Sequence, residues 1–288
     1  MSKYNLINKD YKILIVGLGL LGGSYAQGLT DTGFTVGAID VSQESIDYAI
    51  EKGIIKNGYT TVNEEYVSQF DLIIFALYPK VLIEWLKQYQ SYFKKGAVIT
   101  DVTGIKSWVD NEIRKFIRDD IEYVLAHPMA GKEVYGVKNS SKDLFVNANY
   151  LITPTSKNTK EVIEKSKKLA YDLGFKNVSI LSVEEHDEMI AFLSQLTHCI
   201  AVSLMTCKES THLKEYTGDS FRDLTRIAKI NETLWSELFF ENKDNLIPLI
   251  DSFVQELNKL KSYVENEDSD NLKAMFIEST KRRKAFDK

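Results

Sequence analysis

The stretch Ile13-Leu14-Ile15-Val16-Gly17-Leu18-Gly19-Leu20-Leu21-Gly22 decides the fold. Its four leading apolar residues have the length and composition of a buried strand, and the chain after Gly22 has the pattern of a helix. A glycine triplet spaced G-x-G-x-x-G carries weight only in that context. Gly17 then permits a tight turn, Gly19 lets backbone approach a pyrophosphate, and Gly22 lets helix and strand pack closely. The unpaired N–H groups and positive dipole end of the helix favour phosphate. A second apolar run, Thr35-Val36-Gly37-Ala38-Ile39, ends in Asp40. An acid there suits the ribose hydroxyls of NAD and repels the 2′-phosphate of NADP. The expected cofactor is therefore NAD, held by Gly17, Leu18, Gly19, Leu20, Leu21, Gly22 and Asp40. Asp40 also admits a blander reading as a turn or N-cap residue, since Ser42 follows it.

Outward from this unit, apolar strands at 12–16, 35–39, 71–76, 97–101, 123–126 and 150–153 alternate with amphipathic stretches at 20–30, 43–51, 81–92 and 107–116. That alternation predicts a parallel sheet covered on both faces. The segment 154–158 reads as a boundary. A further helix at 160–173 and a strand near 178–181 follow it. Ser182-Val183-Glu184-Glu185 is a capping box that opens a helix. From there to Phe286 only Pro248 and Gly218 interrupt helical patterning. The expectation is a Rossmann-type α/β domain over 1–155 and an all-α domain over 156–288. The apolar spacing of Leu249, Phe253, Leu257, Leu260 and Val264 fits either a dimer interface or a monomeric core.

At 288 residues the chain has room for two cores. Its 44% hydrophobic and 27% charged composition is that of a globular protein. A formal net charge of −5 argues against a nucleic-acid partner. Residues 1–10 are polar and do not resemble a signal peptide, and the apolar run 72–78 is too short to span a membrane. The expected location is the cytoplasm, where Cys199 and Cys207 are free and largely buried thiols. No histidine spacing suits a metal.

Four histidines and one arginine bear on the chemistry. His127 follows a strand and precedes Pro128, which excludes it from helical geometry. At the carboxyl end of a sheet strand it is a general base or, alternatively, a buried imidazole satisfied by backbone. His198 lies on a long helix beside Gln195 and, taken alone, reads as structural. His186 and His212 lie among charged residues and read as solvated. Arg226 is a candidate carboxylate fork, with a local ion pair to Asp223 as the competing reading.

Together these residues give a chain that resembles the prephenate/arogenate dehydrogenase family. The resemblance rests on the glycine turn through Ser24, on 101–106, and on His127-Pro128-Met129-Ala130-Gly131-Lys132-Glu133. It rests also on 194–198, Asp223-Leu224-Thr225-Arg226-Ile227-Ala228 and Trp235. It implies NAD-dependent oxidative decarboxylation of prephenate to 4-hydroxyphenylpyruvate in tyrosine biosynthesis. Hydride leaves the hydroxyl-bearing ring carbon and CO2 leaves the opposite one, and the ring becomes aromatic.

The resemblance further implies that His127 hydrogen-bonds the ring hydroxyl, that Glu133 organises polar contacts, and that Arg226 anchors a substrate carboxylate. His198 would line the pocket and Trp235 would reach it from a partner subunit in a homodimer. Two departures stand out. Gly104 occupies a position where many members have serine, with Thr103 or a water as a substitute hydroxyl, and Gln195 and Thr197 replace His and Pro. Arogenate as substrate, a β-hydroxyacid dehydrogenase and a non-catalytic NAD sensor are the competing readings. No chorismate mutase or regulatory segment is evident, so the expectation is a monofunctional enzyme.

Overall fold

The computed structural model describes residues 10–209 and 212–286. An eight-stranded sheet forms its centre. The strands are β1 (Lys12–Val16), β2 (Thr35–Ile39), β3 (Asn57–Tyr59), β4 (Leu72–Phe75), β5 (Val98–Asp101), β6 (Glu122–Met129), β7 (Asn149–Thr153) and β8 (Asn177–Ile180). Their spatial order is β3-β2-β1-β4-β5-β6-β7-β8. The chain starts in mid-sheet, runs to one edge, then returns past β1 to the other. The crevice beside β1 is thus the topological switch point at which such sheets bind dinucleotides.

Strand residues of β1 alternate between two cores, as period-two geometry requires. Ile13 and Ile15 pack with α1 (Leu20–Asp31) and α2 (Gln43–Glu51), while Leu14 and Val16 face the layer beyond α3 (Glu64–Val67). That second layer holds α4 (Pro79–Tyr89) and α5 (Ser107–Ile113). Pro79 sits in the first turn of α4, where its missing N–H costs nothing.

The sheet is parallel as expected, with one exception. β6 and β7 pair antiparallel, with His127 opposite Leu151, and all other pairings are parallel. The connection from β6 to β7 carries no crossover helix. It folds over α1 instead, held by Gln27 Nε2 donating to Ser140 Oγ at 2.7 Å. β3 was not anticipated, because Asn57-Gly58-Tyr59 has neither apolar alternation nor β-branching.

The boundary at 155 also shifts. After 154–158, α6 (Lys160–Asp172) packs on β6, β7 and β8, and β8 pairs with β7. The α/β body therefore runs to Ile180, and the helical part begins where Ser182 caps α7 (Val183–Ile190). A π-helical turn (Ala191–Gln195) joins α7 to α8 (Leu196–Thr206). Short α9 (Leu213–Tyr216) and α10 (Asp219–Thr225) follow. Then come α11 (Glu232–Glu241), α12 (Lys243–Glu265) and α13 (Ser269–Arg283).

By length and composition the continuous helix 183–206, with mean hydropathy 1.5, is apolar enough to cross a membrane. It also buries the polar side chains of His186, Asp187 and Gln195. The two cysteines are unpaired; Cys199 is half-buried, and Cys207 is exposed rather than buried, because it follows the last turn of α8.

Candidate active site

A cavity of about 600 Å³ opens beyond the carboxyl ends of β1, β4, β5 and β6. Its lining includes Gly19–Leu21, Thr103, Gly104, His127, Glu133, His198, Arg226 and Trp235. Side chains from both halves of the chain thus meet above one glycine turn.

The turn is shaped for a pyrophosphate. Gly17 has φ +97°, and a Cβ there would lie 2.5 Å from the Ala76 carbonyl oxygen. A Cβ on Gly22 would lie 1.8 Å from the Gly17 carbonyl oxygen, so helix and turn touch as the sequence suggested. Gly19 faces open space and caps α1 without a side chain, leaving the first N–H groups of the helix available. Asp40 Oδ2 accepts from the Leu18 N–H at 2.6 Å, and Oδ1 accepts from the Ser42 N–H at 2.8 Å. Its carboxylate braces the turn and retains lone pairs for ribose hydroxyls. The N-cap of α2 is Ser42, not Asp40. These features fit a dinucleotide.

His127 lies within β6, not after it. β5 pairs with β6 only as far as Val124, so the remainder of β6 overhangs beyond the end of β5. Pro128 is tolerated on that overhang because no β5 partner demands its N–H. The overhang carries His127 to the cavity floor. Beneath it, Lys106 and Asp101 form a fully buried ion pair at 2.6 Å. Lys106 Nζ donates to the Ala126 carbonyl at 2.6 Å, while the Ala126 N–H donates to Asp101 Oδ1 at 3.3 Å. Both polar groups of the residue before His127 are therefore fixed by one ion pair. Burial pushes the Lys106 ammonium down, and the Asp101 carboxylate opposes that shift.

His127 Nδ1 lies 3.0 Å from His186 Nε2, and His186 Nδ1 lies 2.7 Å from Asp187 Oδ1. The expectation that His186 is solvated is therefore wrong: its side chain is 0% exposed. Val183, His186, Asp187 and Ile190 form the inward face of α7. That spacing was present in the sequence but hidden by the flanking glutamates. Burial pushes the His127 imidazole well below its ordinary value, reinforced by His186 and Lys106. Burial likewise lowers His186, against the pull of Asp187. For Asp187, burial acts upward, but hydrogen bonds from His186 and the Ser107 N–H hold it below the usual carboxylate range.

Arg226 pairs with Glu133, not with Asp223. It opens a short 3-10 turn after α10, which swings the guanidinium toward the cavity mouth, where 63% of the side chain remains exposed. His198 donates from Nδ1 to the Ser194 carbonyl at 2.9 Å, which frees Nε2. Its ring lies against Trp235 of the same chain, with centroids 3.6 Å apart. Trp235 thus reaches the cavity without a partner subunit. Burial lowers the His198 imidazole, and Arg226 adds to that, while the Ser194 bond and Glu133 oppose it. His212 is exposed, as expected, and pairs with Glu215.

The two departures resolve differently. The Thr103 hydroxyl is committed to Asp101, and it accepts from Lys106 Nζ at 3.1 Å, so it does not substitute for the missing serine. A Cβ on Gly104 would meet Leu238 methyls at 3.4 and 3.5 Å and His127 Cε1 at 3.8 Å. Gln195 is buried; its amide donates to the Leu238 carbonyl at 2.9 Å and accepts from Asn242 Nδ2 at 2.8 Å. It pins the π-helical turn to α11 and to the α11–α12 junction.

Residues 25–179 match the family model described as "Prephenate dehydrogenase, nucleotide-binding domain", and residues 182–278 match "Prephenate dehydrogenase, dimerization domain". The chain is 31% identical over 270 residues to a prephenate dehydrogenase of Bacillus subtilis, covering 90% of this chain and 72% of that protein. It is 29% identical to a cyclohexadienyl dehydrogenase of Zymomonas mobilis, covering 95% of each. The crystal structure of Aquifex aeolicus prephenate dehydrogenase in complex with hydroxyphenyl propionate and NAD+ superposes with a TM-score of 0.87 at 29% identity. It covers 96% of this chain and 98% of that one. With both family models matched and both halves of the site in one cavity, this chain belongs to the prephenate dehydrogenase family.

Proposed function

We propose that this chain carries out the NAD-dependent oxidative decarboxylation of prephenate to 4-hydroxyphenylpyruvate. One observation carries the assignment: His127 and Arg226, far apart in sequence, line the same cavity as the glycine turn. Gly19 to Gly22 and Asp40 are the residues that would hold NAD, which supplies the hydride acceptor. His127 takes the ring-hydroxyl proton as that carbon becomes carbonyl-like, then returns it to the phenolate oxygen once CO2 has left. A neutral imidazole is the competent form, and burial keeps it so. Arg226 anchors a carboxylate of the substrate at the cavity mouth, where Glu133 holds its guanidinium beforehand. His198 and Trp235 wall the pocket as a tilted, closely packed pair, and Gly104 leaves room beside His127. Binding energy at Arg226 serves orientation, which is where most of the gain from an aligned pair of reactants lies.

The reading extends to a homodimer in the cytoplasm. Phe253 and Leu257 on α12 and Ile277 on α13 leave apolar surface exposed, in a region that matches the dimerization-domain model.

The test is NADH formation followed by absorbance, with prephenate and with arogenate, and with NAD and NADP. The expected ranking of kcat/KM is prephenate over arogenate and NAD over NADP. Silence with both substrates defeats the assignment, and a preference for arogenate or NADP overturns the corresponding half of it.

A further inference from the structure

We propose that His186 and Asp187 form a positioning relay that fixes which nitrogen of His127 carries the proton. The inference rests on the reading of His127 as the base. It follows from counting donors along a chain of three side chains.

Asp187 begins the chain. Its Oδ1 accepts from the Lys106 N–H and its Oδ2 from the Ser107 N–H, both at 2.8 Å. It thus caps the first turn of α5, where a carboxylate is also favoured by the helix dipole. An ionised carboxylate has no proton to offer, so His186 Nδ1 must be the donor across the 2.7 Å contact. A neutral imidazole has one N–H, and that of His186 is spent. Its Nε2 is therefore bare and accepts across the 3.0 Å contact. The proton on that contact belongs to His127 Nδ1. What remains is a bare Nε2 on His127, facing the cavity and able to take a proton.

The reverse arrangement would leave His127 with a proton on Nε2 and nothing to accept with. One carboxylate, two links away, selects between the two. It also steadies the imidazolium formed when the hydroxyl proton arrives, because the positive charge is shared through His186 toward Asp187. The other charged groups near His186 are Lys106 at the start of α5 and Asp101 at the end of β5. These two form an ion pair with each other, so Asp187 is the nearest uncompensated charge. At the α11–α12 junction the neutral Asn242 donates to the Asp187 backbone carbonyl at 2.9 Å. His186 touches neither bulk water nor the cavity, and both of its ring nitrogens are used inside the relay.

Nitrogen-15 NMR of the histidine rings tests the tautomer directly in the wild-type protein at neutral pH, with His127 assigned by its loss in His127→Asn. The expected pattern is a protonated Nδ1 and a bare Nε2 on both His127 and His186. A protonated Nε2 on His127 overturns the proposal.

Kinetics test the consequence. Asp187→Asn should lower kcat roughly a hundredfold, with KM for both substrates within about twofold. The acid limb of the kcat/KM profile should move to lower pH, because the imidazole pair loses its anion. An unmoved limb at wild-type kcat overturns the relay. Because Asp187 also caps α5, a second pair of variants spares the cap. In His186→Gln the amide oxygen can still accept from His127 Nδ1, so this variant should turn over about tenfold faster than His186→Ala. Equal rates in these two variants overturn the proposal. Wild-type turnover in His127→Asn defeats the base assignment and the relay together. Loss of activity in His127→Asn, with wild-type rates in His186→Ala and Asp187→Asn, defeats the relay alone.

Discussion

On the proposed mechanism His127 and Arg226 divide the work at the site, and the division is measurable. His127→Asn keeps a polar side chain that can still accept a hydrogen bond but removes the basic nitrogen that would take the proton; kcat should fall roughly 10²–10⁴-fold while KM changes little. Arg226→Ala removes a charge-assisted contact that holds the substrate before and during reaction, so KM should rise about 10- to 100-fold with a smaller change in kcat. Gly104 offers a gain rather than a loss. A serine Cβ fits there at ordinary van der Waals distances, 3.8 Å from His127 Cε1, so its hydroxyl would stand beside the imidazole. Gly104→Ser should fold normally and lower KM for substrate about two- to tenfold, the worth of one hydrogen bond. An unchanged KM would mean that the hydroxyl adds no contact to bound substrate. At this scale the sequence singled out two residues that the fold brings to one cavity, His127 and Arg226, but misplaced their partners. Nothing local in Val183-Glu184-Glu185-His186-Asp187 distinguishes a solvated histidine from a buried one. Only tertiary packing supplies His127 as the neighbour of His186 and Glu133 as the neighbour of Arg226.

Among the elements, the β1–α1 unit was fully legible, because each constraint on it is local. The turn needs a positive φ at Gly17, and the helix needs Gly22 bare so that it can pass the turn. Gly22→Ala would drive a methyl into the Gly17 carbonyl. It should cost about 2–3 kcal/mol or more, lower the melting temperature by roughly 5–10 °C, and abolish NAD binding by calorimetry. β6 was legible only in part. Its apolar stretch 123–126 announced a strand, but the extension through His127-Pro128-Met129 depends on pairing with β7, a contact between distant segments. β3 has no apolar signature and owes its existence to the free edge of β2.

For the whole molecule, the two buried imidazoles link stability to acidity. His127 and His186 both have folded-state values below the ordinary value of about 6.5. The unfolded chain therefore binds more protons at low pH. Their contribution to stability is complete above about pH 6.5 and is lost as pH falls from there toward the folded-state values. Denaturant midpoints measured downward from neutral pH should decline across that window, and in His186→Gln the decline should be shallower. The two-part architecture was legible from the change of periodicity near Ser182. The junction itself was not, because 154–158 has the turn-forming composition of a linker while the sheet still lacks its last strand.

The cap on α5 comes from the helical half of the chain, although α5 belongs to the α/β half. This makes the two lobes poor interchangeable parts. A hybrid that joined this nucleotide-binding lobe to a foreign helical lobe lacking a His-Asp pair at 186 and 187 would inherit the glycine turn and the dinucleotide. On the proposed relay nothing would select the tautomer of its His127 counterpart, and one of its own helices would begin uncapped. Such a hybrid would be a competent dinucleotide binder and a poor dehydrogenase.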